Sequence, residues 1–471
     1  MKKFKKVIAL SLALAMGLSL AACTSGSGDT TAPSGGDDTT APSGNEDDTT
    51  APSDNNAAGG EFVIYVWNNE FRDLMADYMP GYTADEDHMG GVMDDGTVIK
   101  FVENENSGLN YQTKLTQALM DGSQVDMFLV EADYATKYTS AAADVAMDIK
   151  DLGFTDDDLA QMYDYAKGVV TDGGVTRGVS WQCCPGFFLY RKDLAEEQLG
   201  VTSEAEMQEK IKDWDAFDAT AKELADKGYY IVADYQEGSR AANAQRSTAW
   251  VTDGVITIPS EIDEWTERAK GWYDEGAMAG GANFDGNGNY GLGVKKDGKV
   301  LGYFATTWEF GWPLDGMVDP VDDDTFKWSA VQGPVGYFWG GTWACASKNC
   351  SNTALAYDIM WNMTCNKDVL QAMAADRMNF ANNKAAMEEI ADSYQMADKF
   401  AWFDYDGSYI SMCLDLAENI EVKNMSPYDQ MIENYQDAMG QYFAGDSTKD
   451  EALQTFYNSV TEKWTELSAP N

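Results

Sequence analysis

The chain has 471 residues, with 33 Lys and Arg against 78 Asp and Glu and a formal net charge of −45. So acidic a surface repels phosphate backbones and anionic lipid, which argues against nucleic acid or membrane insertion and favours a neutral or cationic ligand. The single histidine, His88 in the loop-like "GYTADEDHMGGVMDDG", has no GxSxG nearby and reads as a surface residue, so histidine-dependent nucleophilic catalysis finds no support.

The N-terminus, "MKKFKKVIALSLALAMGLSLAAC", has a lysine-rich start, one apolar run and small residues before Cys23, the layout of a secretory signal over 1–22. Leu20-Ala21-Ala22-Cys23 resembles a bacterial lipobox, which implies cleavage before Cys23, lipidation of its thiol and attachment to the outer face of the cytoplasmic membrane. Residues 24–60 carry "TTAPS" three times, seven acidic residues and no Lys or Arg. Such a stretch cannot bury enough apolar surface to offset its ordering entropy, so 23–60 is predicted to be an anchored, disordered tether.

Residues 61–471 are long enough for two domains. "EFVIYVW" (61–67), "TVIKFV" (97–102) and "VDMFLV" (125–130) are predicted strands, being short, β-branched and bounded by polar or turn residues. "SGLNYQTKLTQALMDG" between them places Leu109, Leu115 and Leu119 on one helical face, with Gly122 closing the helix. The alternation predicts an α/β lobe with a mainly parallel sheet. Thr155 is a predicted N-cap for "DDDLAQMYDYAKGV". A second α/β lobe follows, with helices at 213–227 and 260–274, a strand "YYIVADY" (229–235) and a strand entering "LGYFATTWEFGW" (301–312). Beyond residue 350 the pattern is helical, over 353–375, 383–398, 409–420, 428–443 and 449–467.

Six cysteines follow Cys23: Cys183, Cys184, Cys345, Cys350, Cys365 and Cys413. They contain no CxxC pair and read as small buried side chains, and no zinc site is predicted. "DGNGNYG" puts Asp285, Asn287 and Asn289 at positions 1, 3 and 5 of an EF-hand-like loop. Tyr290 then stands where Gly is required and Lys296 where the bidentate Glu belongs, so the stretch reads as a turn without calcium. No cofactor or metal is expected.

The ordered segments "VWNNEF", "VDMFLVEADYATKY", "GVSWQCCPGFFLYRKDL", "GYFATTWEFGW", "GPVGYFWGGTWACAS" and "MNFANNKAAMEEI" together resemble bacterial extracellular solute-binding proteins of carbohydrate importers, similar to maltodextrin-binding proteins. The resemblance implies a two-lobed α/β fold of the type II periplasmic-binding-protein kind, with a helical C-terminal segment. It further implies an oligosaccharide held in the interlobe cleft, delivery to the permease subunits of an ATP-driven importer, a monomer, and no catalysis. Lobe 1 is expected at 61–172 plus 330–378 and lobe 2 at 173–329 plus 379–471.

A sugar offers apolar C–H faces and an equator of hydroxyls, so its site needs flat aromatic platforms beside amides and carboxylates. Ligands of open α/β sheets gather where strands end. Candidates on that rule are Trp67, Asn69 and Glu70, then Glu131 and Asp133, then Trp181 and Gln182, then Gln236 and Arg240. The family pattern puts the second lobe's main platform at Trp308, with Glu309 and Trp312 near it. Trp339 and Trp343 flank a Gly pair, and Trp402 matches a late platform loosely. A surface glycoside hydrolase with a carboxylate pair, and the same fold holding a peptide, polyamine or metal complex, are the alternatives.

Overall fold

The computed structural model describes residues 59–280, 289–318, 326–377 and 380–470. The signal, Cys23, the tether as far as residue 58, and Asp285 and Asn287 lie outside the described residues.

The three early predicted strands form the middle of a seven-stranded sheet. β1 (Glu61–Val66) lies between β4 (Val98–Glu103) and β5 (Met127–Glu131), pairing with both in parallel. Its Phe62, Ile64 and Val66 are fully buried, as the run of apolar residues requires of a strand covered on its faces. β2 (Tyr82–Ala84) and β3 (Gly90–Met93) extend the β4 edge, while β6 (Val179–Ser180) lies beyond β5 at the other end, separated from it by a strand from much later in the chain. β7 (Gly186–Arg191), β8 (Gly302–Thr306) and β9 (Trp328–Val331) belong to a second sheet, and β10 (Thr342–Ala346) is the late strand that returns to the first. The large sheet has the order β2-β3-β4-β1-β5-β10-β6. It is mixed, not mainly parallel: only the two β1 pairings are parallel. Short turns join β2, β3 and β4 and can make only antiparallel neighbours, and β10 arrives against β5 from the opposite direction.

The small sheet, β8-β7-β9, is antiparallel throughout and buried on both faces. Along β7, Phe187 and Leu189 enter one hydrophobic core, and Phe188 and Tyr190 enter another. β8 repeats the division, with Tyr303 and Ala305 on the first side and Phe304 on the second. A period of two in side-chain direction thus distributes one continuous apolar stretch between two cores.

The first core surrounds the large sheet and includes Phe380, Met387, Tyr409 and Cys413 from the late helical region. The second gathers Phe217, Trp250, Trp265 and Trp272 with Met431, Tyr435 and Phe456. Helix α1 (Glu70–Tyr78) and helix α2 (Asn110–Asp121) lie in the first half of the chain. Helix α3 (Ser239–Ala244), α4 (Ser260–Asp274), α5 (Met431–Phe443) and α6 (Lys449–Lys463) brace the second core. All described residues belong to one compact unit.

Some elements differ from the sequence reading. "YYIVADY" is no ladder strand: Tyr230 and Val232 make single bridges to Val300 and Met278, so the segment divides its backbone hydrogen bonds between two partners. The run 353–375 breaks into Thr353–Thr364 and Lys367–Arg377, and 383–398 shortens to Lys384–Ile390. Thr155 does cap a helix, through a reciprocal box with Asp158, but that helix is only Asp156–Ala160. The six cysteines are free thiols, five buried and Cys365 half-buried.

Candidate functional site

β8 ends at Thr306, and the chain turns at once into a short 3-10 helix, Thr307–Phe310. A reciprocal capping box fixes this turn, with the Glu309 carboxylate accepting the Thr306 backbone N–H at 2.7 Å. The other Glu309 oxygen meets the Tyr290 hydroxyl. Glu309 is fully buried, and burial pushes its carboxyl up to about 8. Expected as a ligand acceptor, it is instead the brace of the turn that carries Trp308.

Trp308 leaves that turn half-buried. Its indole N–H donates to the Trp339 carbonyl at 3.1 Å, and its ring stacks on Trp312 at 6.1 Å and meets Trp339 edge-on at 5.4 Å. Gly340 makes the approach possible: its φ is +77°, and a Cβ there would lie 2.9 Å from the Trp308 indole nitrogen. Trp312 is 61% exposed. An indole so open, stacked on a second and joined by a third, is a surface built for contact.

These three tryptophans and Phe304 supply the aromatic lining of a cavity of about 430 Å³. Gln236, Glu237, Arg240, Glu433, Gln436 and Asp437 supply its polar lining. The volume is within the range of small-ligand sites, roughly 300–1,000 Å³. A narrow crevice of about 40 Å³ continues past Arg240 and Trp339 to Asp133, Arg246 and Asp429.

Arg240 joins the parts. Its Nη1 lies 2.6 and 2.8 Å from the two Asp133 oxygens, its Nη2 is 3.8 Å from Glu433, and its guanidinium sits 5.6 Å from the Trp339 ring centre. Burial opposes its charge, but the Asp133 and Glu433 carboxylates more than compensate and raise its pKa. Glu131 accepts the Asp133 backbone N–H at 3.0 Å. Burial, and then the charge of Asp133, hold the Glu131 carboxyl well above its ordinary value. Deeper in the crevice Arg246 bonds Asp429 at 2.6 Å; burial raises Asp429 to about 6 against the pull of Arg246.

Of the residues proposed from sequence, Gln236, Arg240, Trp308, Trp312 and Trp339 line the cavity, and Asp133 lines the crevice. The others are not among the lining residues. Trp181 is 1% exposed and packs on Phe71, and Gln182 is buried beside Thr342. Trp343, 2% exposed within β10, donates to the Ala166 carbonyl at 2.8 Å. Trp402 stacks on Phe310 at 5.3 Å inside the first core. Trp67 packs edge-on against Tyr111, and exposed Asn69 donates to Asp73. Glu70 is half-buried near the Trp181 indole, and burial raises its carboxyl to about 7. Sequence reading missed Phe304, Glu237, Glu433, Gln436 and Asp437. The last three share one face of α5, and only its packing onto the second core turns that face to the cavity.

Residues 93–402, about two thirds of the chain, match the bacterial extracellular solute-binding proteins. The chain belongs to that family. As a member it is an extracytoplasmic binding protein and not an enzyme. Its fold is the two-lobed α/β fold of type II periplasmic binding proteins. A family 1 extracellular solute-binding protein superposes with a TM-score of 0.67 at 17% identity, over 85% of this chain and 99% of the other. The galacto-N-biose/lacto-N-biose I-binding protein of a Bifidobacterium longum ABC transporter, solved with lacto-N-biose, gives 0.62 at 16% identity, over 87% and 98%. An ABC transporter associated binding protein from B. animalis subsp. lactis Bl-04, in complex with β-1,6-galactobiose, gives 0.59 at 17% identity, over 87% and 99%. No curated protein matches the chain. Among the described residues no helix is long and apolar enough to cross a membrane, and no cluster of His, Cys, Asp and Glu is arranged to hold a metal ion.

Proposed function

We propose that this protein captures an oligosaccharide in the cavity beside Trp308 and delivers it to the permease subunits of an ABC importer. The carrying observation is the pairing of lining groups: three indoles for C–H faces, and Gln236, Gln436, Glu433 and Asp437 as partners for hydroxyls. The similar proteins solved with lacto-N-biose and β-1,6-galactobiose support a saccharide. A volume of about 430 Å³ suits a short saccharide better than a long chain.

In this reading Cys23 carries a lipid after removal of 1–22, and 23–60 is the tether that holds a monomeric receptor off the membrane. The lobe division expected at 61–172 plus 330–378 and 173–329 plus 379–471 is redrawn so that β6 and the helices Lys384–Ile390 and Tyr409–Glu418 go with the large sheet, whose core they join. Closure of one lobe on the other about the ligand is the working motion. Tryptophan fluorescence titrated with a panel of di- and trisaccharides tests the saccharide. A saturable change with the sugar recovered intact is expected, and a response to peptides or polyamines alone would overturn it. Metabolic labelling with a palmitate analogue tests Cys23: label is expected on the wild type and absent from Cys23→Ala.

A further inference from the structure

The cavity is short of positive charge. Among the described residues Arg240 is the one cation that lines it, and its guanidinium is engaged by both oxygens of Asp133 before it reaches Glu433 at 3.8 Å. Glu433 and Asp437 stand one turn apart on α5 and both line the space. The Asp437 side chain is exposed and makes no hydrogen bond or ion pair among the described residues, and the half-exposed Glu433 accepts the Gln430 side-chain amide N–H at 3.2 Å. Lys463 forms no ion pair with either carboxylate among the described residues, its Nζ donating to Asn434 at 3.0 Å, and it acts on both through its charge. Burial, and then the charge of Asp133, raise the Glu433 carboxyl against the pull of Arg240, and burial raises that of Asp437 against the pull of Lys463.

Such a lining selects by charge. A uronic acid or a phosphorylated sugar would set like charge against Glu433 and Asp437. An ammonium group gains charge-assisted hydrogen bonds from the carboxylates and cation–π attraction from the indoles. A neutral sugar satisfies the rings and leaves two like charges one helical turn apart, an arrangement that is itself unfavourable.

We propose that the solute is a saccharide with a free amine, its ammonium held by Glu433 and Asp437 and its ring face by Trp308 and Trp312. This rests on the saccharide reading above and narrows it.

Calorimetric titration of the chain with the β-1,4-linked glucosamine disaccharide, its N-acetylated form, a neutral disaccharide and digalacturonate tests it. The free amine is expected to bind at least about tenfold tighter than the acetylated and neutral sugars, with the advantage shrinking in salt. Digalacturonate is expected not to bind. Glu433→Gln and Asp437→Asn, with melting temperatures near wild type, should bring the preference close to unity, while Trp308→Ala weakens binding of every saccharide that binds. Equal affinity for amine and acetylated sugar overturns the amine and leaves the saccharide reading intact. A response to spermidine with none to any saccharide overturns the saccharide reading itself. A preference that survives in both carboxyl variants overturns the assignment to Glu433 and Asp437.

Discussion

Trp308 follows β8 of the small sheet and Trp343 lies within β10 of the large one; both were candidates for a ligand platform, yet one lines the cavity and the other fills the core. Trp343 is the second residue of β10, paired to β5 on one side and β6 on the other, so its ring has only the sheet's covered face to occupy. Trp308 stands two residues past the end of β8, where the chain has left the layer. Leaving a strand is not enough by itself: Trp181 follows β6 directly yet is 1% exposed against Phe71, and Trp402 lies outside any strand yet stacks on Phe310 in the first core, whereas Trp312 and Trp339 reach the cavity. Residue type marks a candidate platform, and what packs over the chain beyond the strand decides whether it becomes one.

The largest expected effect falls on the core member. Trp343→Ala removes a buried indole and its hydrogen bond to Ala166, and should cost about 3–5 kcal/mol of stability, measured by denaturant unfolding. The fraction that remains folded should bind as wild type does; loss of affinity in that fraction would erase the distinction between the two tryptophans. Trp308→Ala should do the reverse, weakening saccharide binding by about 2 kcal/mol with cooperative unfolding retained. Calorimetry beside a melting curve separates the two quantities.

Gly340→Ala sharpens the comparison without replacing either ring. The added Cβ meets the Trp308 indole nitrogen at 2.9 Å, and the positive φ disfavours any side chain by about 1–2 kcal/mol. Binding should weaken as Trp308 is displaced, by less than in Trp308→Ala.

A pH-dependent effect concerns the brace. Burial raises Glu309 from an ordinary 4.5 to about 8, so between those values the folded chain holds a proton that the unfolded chain has released. Its contribution to stability is therefore full below about 4.5 and falls as pH rises toward about 8. Glu309→Gln should flatten that part of the profile relative to wild type when melting temperature is followed across the window. An unchanged slope would mean that Glu309 is not the titrating group.

Much of the fold was legible because local patterns and tertiary environment agree. β1, β4 and β5 are apolar runs bounded by polar or turn residues, and they fall where strands were expected. "YYIVADY" has the same composition and fails as a strand, because its partners, Val300 and Met278, come from two separate segments. The sheet's mixed direction was equally hidden, since β10 is more than two hundred residues from β5 in sequence. In the site, Trp308 could be found from the family resemblance, which places a platform there. Glu433, Gln436 and Asp437 could not, because carboxylates and amides on one face of a late helix are what a solvated surface also looks like.

Composition and order were sufficient for the class of molecule: an acidic α/β protein with many tryptophans, one histidine and a recognisable succession of segments, because those properties do not depend on which residues meet. Tertiary structure alone decided which tryptophans face the cavity, and that Glu309 braces a turn while Glu433 and Asp437 line the site. Those outcomes depend on strand ends, on the face α5 turns inward and on contacts between residues up to about two hundred positions apart, such as Arg246 with Asp429, which no local pattern encodes.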